Sequence, residues 1–137
     1  MNVLTRIWSL FFIKKPIKTE SIHLDILIQI FESQKQLQLK YGHNFETMTE
    51  IEKEQYTRDT ILYLLEETHE LLRETNFKTY KKVRKPIDIT KIYGELIDIG
   101  CFYHNLCVCW NLDPQKYLHE YEKKNKINVS RISDKDY

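Results

Sequence analysis

Four acidic side chains recur at a spacing that pairs them on helix faces. Glu67 and Glu70 are three positions apart in "LLEETHELLRE", and Glu95 and Asp98 repeat that spacing in "YGELIDIG". Residues three apart lie on the same face of a helix, so each pair would point its carboxylates the same way. Two antiparallel helices would bring the pairs together, and oxygen ligands of that kind suit Mg²⁺ or Mn²⁺. The pattern therefore predicts a divalent-cation site.

Each acidic pair alone is also typical of a solvated helix face that binds nothing. The second pair weakens that interpretation, because apolar neighbours such as Leu96 and Ile97 predict a helix that lies mostly inside the protein. A carboxylate buried without a counter-charge costs on the order of several kcal/mol, so a bound cation is the expected compensation. Glu66 lies about 100° around the helix from Glu67 and is left out of the predicted cation site.

Helical periodicity runs through most of the chain, and three glycines and three prolines leave few breakers between long elements. The predicted boundaries are Ile22 and Gly42 for the first helix, Thr49 and Thr75 for the second, Asp88 or Thr90 at the start of the third, and Asp113 with Pro114 at the start of the fourth. These residues are preferred helix caps, first-turn residues and stops. The third helix is apolar nearly all round, which predicts a central position. We expect one all-α domain, a bundle of about four main helices over residues 1–137.

Composition narrows the class of protein. The chain has 137 residues, 42% hydrophobic and 30% charged, with a net charge of +1. These values are typical of one globular domain, and the near-neutral charge argues against a nucleic acid polymer as partner. The absence of alanine beside abundant Lys, Ile, Asn and Tyr fits an AT-rich genome, such as that of a phage or virus.

Three cysteines, Cys101, Cys107 and Cys109, fall in one apolar stretch. An odd and clustered set is not a disulfide framework, so we expect reduced, buried thiols and a cytoplasmic protein, in the host cytoplasm if the source is a phage or virus. Cys101 and His104 have the spacing of a zinc pair, but buried thiols are the favoured interpretation.

The first 18 residues form an apolar and basic N-terminal segment. Its apolar run from Ile7 to Ile13, between Arg6 and Lys14, is too short to span a bilayer and lacks a signal-peptide cleavage site. We expect no transmembrane segment, and we expect these residues to pack on the domain or on a partner subunit. Binding to a membrane surface is the alternative.

The acidic pattern resembles that of the all-α nucleoside triphosphate pyrophosphatases (MazG-like proteins), and within them the dimeric dUTPases, including phage members. "FKTYKK", residues 77–82, is similar to the Lys-x-Trp-Lys loop of that family, with Tyr80 where Trp is common. "YEKKNKINVSR", residues 121–131, is similar to its C-terminal segment, and "SQKQLQ", residues 33–38, to the segment whose amides contact the base. The resemblance spans about residues 22–131. It implies an all-α pyrophosphatase fold, pairing of protomers, and Mg²⁺-dependent hydrolysis of dUTP to dUMP and pyrophosphate.

The resemblance also implies a role for each matching residue. The metal ligands are Glu67, Glu70, Glu95 and Asp98, with Glu67 also the catalytic base. The substrate-binding residues are Gln34, Gln38, Tyr80, Lys81, Lys124, Asn128 and Arg131. Physical reasons support these roles, because an amide offers both a donor and an acceptor to a pyrimidine edge, while Lys and Arg donate to phosphate oxygens.

Two other functions stay open at this point. One is a related pyrophosphatase that acts on dCTP or on a broader range of nucleotides. The other is a non-catalytic helical protein that keeps the fold in order to bind and regulate another protein. Metal binding separates the two classes, since an enzyme needs Mg²⁺ or Mn²⁺ at the four acids and a pure scaffold does not. The base, the sugar and the oligomeric state are not fixed by the sequence.

Overall fold

The computed structural model describes residues 19–133, whose regular structure is entirely helical. The helices are α1 (Thr19–Lys40), α2 (Glu50–Arg73), α3 (Ile89–Cys109) and α4 (Pro114–Ser133). The prediction of an all-α protein with four main helices is confirmed for these residues. The predictions made for residues 1–18 lie outside the described residues. No helix of the described part has the length and apolar character needed to cross a membrane.

The predicted boundaries of α1 and α2 are confirmed to within a few residues. Gly42 has a φ of 88°, a left-handed conformation that glycine adopts without strain, and it follows the last turn of α1. Thr49 caps α2 through a reciprocal pair of bonds with Glu52. The Glu52 N–H donates to Thr49 Oγ1 over 3.3 Å, and the Thr49 N–H donates to Glu52 Oε2 over 2.7 Å. These bonds satisfy donors that a helix N-terminus otherwise leaves free.

The starts of α3 and α4 are capped by aspartates, also as predicted. Asp88 Oδ1 accepts from the Thr90 N–H at 3.0 Å, and Asp113 Oδ1 accepts from the Lys116 N–H at 2.8 Å. Pro114 is the first residue of α4, where its missing N–H costs nothing.

The antiparallel pairing of α2 and α3 determines the geometry of the candidate site. Near the C-terminal end of α3, the Trp110 indole N–H donates to Thr57 Oγ1 at 2.8 Å. Farther along, the rings of Tyr63 and Phe102 stack with centroids 5.8 Å apart. Residue numbers therefore rise on α2 while they fall on α3, which confirms the predicted antiparallel arrangement.

Helix α1 packs on α3, and α4 packs on α1. Phe31 is buried where α1 meets α3 and α4. Its ring lies 5.3 Å from that of His104 on α3 and 5.9 Å from that of Tyr117 on α4. The predicted central position of α3 is confirmed, since it contacts both α1 and α2.

The prediction that α3 lies mostly inside the protein is wrong for its N-terminal half. Leu96 is 48% exposed and Ile97 is 67% exposed, whereas Cys107 and Cys109 near the other end are buried. Helices α1 and α2 cover only part of α3, and α4 lies against α1 instead of closing the remaining side. All three cysteines are free thiols, as predicted, although Cys101 is only partly buried.

Candidate metal centre

The antiparallel contact of α2 and α3 brings three of the predicted acids together. One carboxylate oxygen each from Glu67, Glu95 and Asp98 lies within 4.8 Å of the other two. Glu67 and Glu95 are half-buried, and Asp98 is exposed. We call these three residues the acidic triad. It is the only group of three or more His, Cys, Asp or Glu side chains with such spacing among residues 25–132, whose side chains the structure describes, so within that range the zinc alternative at Cys101 and His104 gains no further ligand.

Glu70, the fourth predicted ligand, faces a different partner. Its Oε1 accepts from Arg73 Nη2 at 3.3 Å, and the same guanidinium nitrogen lies 3.4 Å from Glu66 Oε1. The spacing from Glu70 to Arg73 is i,i+3, so the two side chains meet on the surface of α2. Glu70 therefore lies on α2 one turn from Glu67 and forms an ion pair with Arg73. The sequence analysis did not predict a role for Arg73. Its position three residues after Glu70 was the available signal.

The acidic triad concentrates negative charge where α2 and α3 meet. Partial burial, reinforced by the charges of Asp98, Glu70, Glu95 and Glu66, raises the pKa of Glu67 above its ordinary value. No Lys, Arg or His within the described ranges forms an ion pair with Glu67, Glu95 or Asp98. Three carboxylate oxygens from two rigid helices form a hard donor set that fits Mg²⁺ or Mn²⁺.

Gln34 on α1 contacts α3 one helical turn after Asp98. Its Nε2 donates to Cys101 Sγ at 3.3 Å, and Cys101 follows Asp98 by three residues on α3. The Oε1 atom of Gln34 is buried and has no hydrogen-bond partner among the described residues. A buried amide oxygen without a partner is costly, so this atom is suited to accept a bond from a ligand.

Gln38 lies in the core instead. The residue is 7% exposed, and its Oε1 accepts from the Tyr56 hydroxyl at 3.0 Å. Burial raises the pKa of Tyr56 to about 12, so this hydroxyl stays protonated and remains a donor. The structure thus gives Gln34 and Gln38 different surroundings, although the sequence grouped them as one pair.

The remaining predicted substrate residues are exposed. Tyr80, at 76% exposure, and Lys81 lie in the loop between α2 and α3, and Lys124, Asn128 and Arg131 follow one another on α4. No hydrogen bond or ion pair in the described part of the chain joins them to the triad. Their roles stay predictions.

Comparison of the chain with models of known families, with curated proteins and with solved structures found no match. The candidate site consists of three clustered carboxylates, a buried Gln34 amide oxygen without a described partner, and a basic loop that follows α2.

Proposed function

We propose that this protein is a Mg²⁺- or Mn²⁺-dependent nucleoside triphosphate pyrophosphohydrolase of the all-α class, with dUTP as its preferred substrate and the cytoplasm as its location. The observation that carries the proposal is the meeting of Glu67, Glu95 and Asp98 within 4.8 Å across two helices. The like charges of this group repel one another when no cation is bound, and their carboxylate oxygens fit a divalent cation that also contacts a polyphosphate.

The proposed chemistry assigns distinct roles to the chain's own residues. Glu67, Glu95 and Asp98 would hold the cation, with Glu70 available from the next turn of α2. When bound, the cation supplies neutralisation of phosphate charge and activation of water. Water then opens the anhydride between the α- and β-phosphates, its proton passes to a carboxylate, and pyrophosphate leaves. Glu67 is the proposed acceptor of that proton, because it is the α2 carboxylate that lies within 4.8 Å of both Glu95 and Asp98.

Base recognition is proposed at Gln34. Its unpartnered Oε1 would accept a hydrogen bond from the N3–H of uracil, while its amide nitrogen already donates to Cys101. A site that bonds a substrate group discriminates strongly, since a ligand lacking that group leaves the amide unpaired. Gln38 would act indirectly by fixing Tyr56, and Tyr80 would pack on the base or sugar.

A nucleotide panel tests the proposed activity. The measurement is pyrophosphate release from dUTP, dCTP, dTTP and UTP with Mg²⁺ or Mn²⁺, for wild type, Asp98→Asn and Glu66→Gln. We expect Asp98→Asn to lose at least about a hundredfold in kcat/KM, because an amide is a poor ligand for a hard cation. Glu66→Gln removes the same charge from α2 outside the triad and should retain activity.

The two alternative functions are outcomes of the same panel. Faster hydrolysis of dCTP, or equal rates for all four nucleotides, would replace dUTP as the preferred substrate. Absence of hydrolysis together with absence of Mn²⁺ binding would favour a non-catalytic regulator. Replacing Gln34 by Ala should raise KM for dUTP and reduce the preference among bases, and an unchanged ranking would exclude this residue as the base reader.

We also propose that the chain pairs with a second copy through the exposed N-terminal half of α3. Tyr93, Leu96 and Ile97 follow i, i+3, i+4 and are all largely exposed, which is unusual for large apolar side chains on one helix face. Light scattering of the full chain should give twice the monomer mass, and Ile97→Glu should reduce it. Ile51→Glu, at an equally exposed position on α2, is the matched control. A monomeric wild type would contradict this pairing.

A further inference from the structure

The loop between α2 and α3 concentrates positive charge. Residues 75–87 contain five basic side chains and no acidic one, although the whole chain has a net charge of only +1. The five are Lys78, Lys81, Lys82, Arg84 and Lys85. None of them forms an ion pair with another side chain that the structure describes, in residues 25–132. Their mutual repulsion therefore has no local compensation.

This loop is held in a defined shape by its own polar contacts. The side chain of Asn76 bonds the backbone of Lys85 twice, with Nδ2 donating to the carbonyl oxygen at 3.0 Å and Oδ1 accepting from the N–H at 2.9 Å. At the tip, the Lys81 N–H donates to the Lys78 carbonyl at 3.0 Å. The ends of the loop are thus tied together, as in a compact Ω-loop.

The tied loop and the last turns of α2 line a half-open pocket of about 710 Å³. That volume lies within the usual range for small-molecule sites, roughly 300–1,000 Å³. Its lining includes His69 and five cationic side chains, Arg73, Lys78, Lys81, Arg84 and Lys85, and no acidic residue. Lys82 belongs to the same loop but does not line the pocket.

We infer that this pocket binds a condensed phosphate, an anion with two or more linked phosphoryl groups, and that it does so without a divalent cation. Several Lys and Arg side chains around one concavity match an anion with many charged oxygens, because each can donate to a different oxygen. A single carboxylate would leave most of these donors unpaired. A nucleic acid backbone is matched better by a basic stripe along a surface than by cations that converge on one pocket.

The position of the pocket relates it to the acidic triad. Arg73 lines the pocket and also contacts Glu66 and Glu70 on α2. Glu67 precedes Arg73 by six residues, which is about 9 Å along a helix. The inference rests on the proposed function for the identity of the ligand. That ligand is the pyrophosphate end of a nucleoside triphosphate, or released pyrophosphate.

Calorimetry with inorganic pyrophosphate in EDTA tests the inference on the full chain. We expect the wild type to bind and Lys81→Gln to bind about tenfold more weakly, a loss of about 1.4 kcal/mol, because the substitution removes a charged donor to a phosphate oxygen. Lys82→Gln removes the same charge one residue away and should change the affinity by less than about twofold. Equal effects of the two substitutions, or no binding by the wild type in EDTA, would overturn the inference.

Two further measurements distinguish this inference from the alternatives. Asp98→Asn should still bind pyrophosphate in EDTA even if it has lost hydrolysis, so failure of the metal site and failure of the pocket give different results. A single-stranded oligonucleotide should bind more weakly than pyrophosphate at the same salt concentration. Tighter binding of the oligonucleotide would identify a nucleic acid surface and reject the pocket as a condensed-phosphate site.

Discussion

Replacing Glu67 by Gln removes one of the three charges of the acidic triad while keeping the size of the side chain. In the metal-free protein Glu67 has two carboxylate neighbours whose oxygens lie within 4.8 Å. Two unit charges at about that distance in water repel by about 0.9 kcal/mol, and physiological salt roughly halves this value. Loss of both repulsions should therefore stabilise the apo protein by about 1 kcal/mol, which corresponds to a rise of about 4 °C in Tm for a domain of this size.

The stability gained by Glu67→Gln should decrease as the pH falls. The pKa of Glu67 is raised in the folded state, so the folded protein binds the proton more tightly than the unfolded chain does. Stability is then lost as the pH rises from the ordinary value of 4.5 through the higher folded pKa. Glu67→Gln should consequently exceed the wild type in Tm at pH 7, and the difference should disappear below about pH 4, where both states of the wild type are protonated.

Thermal unfolding in EDTA and with excess Mn²⁺ measures both effects. Mn²⁺ should raise the Tm of the wild type, because a ligand that binds only the folded state stabilises it, and should raise that of Glu67→Gln much less. Glu66→Gln is the control, since Glu66 contacts Arg73 and not the triad; its Tm should equal that of the wild type or fall slightly. If Glu67→Gln and Glu66→Gln behave alike in EDTA and in Mn²⁺, the triad is not an electrostatic unit and the reasoning fails.

Three further predictions concern the fold. Tyr56→Phe removes the donor to buried Gln38 and should lower the free energy of unfolding in urea by about 1–3 kcal/mol, and an unchanged midpoint would contradict that bond's role. Thr49→Ala removes the cap of α2 and should cost about 1 kcal/mol in the same assay, whereas Thr49→Ser should retain most of the stability. Cys109 is fully buried and burial raises its pKa, so it should react with a thiol reagent at pH 7 only after unfolding; rapid labelling of this residue in the native protein would refute the packing of α3.

The features that the sequence predicted correctly depend on neighbouring residues. The caps at Thr49 and Asp113 form with backbone groups no more than three residues away, so their signals are complete within a short segment. The spacing of Glu95 and Asp98 is likewise a property of one helix, and only the antiparallel return of α3 had to be assumed to place both beside Glu67.

The features that the sequence did not predict depend on competition between distant or alternative partners. Gln38 bonds Tyr56, eighteen positions along the chain, and no local pattern indicates that choice. Glu70 had two possible partners, the triad and Arg73, and in the structure it contacts Arg73. The apolar character of Leu96 and Ile97 was evident, but the number of helices covering that part of α3 was not.

Asn76 gives the α2–α3 loop a structural independence from the helices on either side of it. Because one amide side chain fixes both ends of the segment, residues 77–84 can vary in sequence with little consequence for the path of α2 or α3. Changes in the length of a surface loop also cost little closure entropy. Sequence changes in this segment can therefore alter the specificity and the affinity of the proposed anion pocket. The carboxylates of α2 and α3 keep their geometry meanwhile. Residues 77–84 are accordingly a natural unit to replace as a whole when the specificity of the loop is engineered.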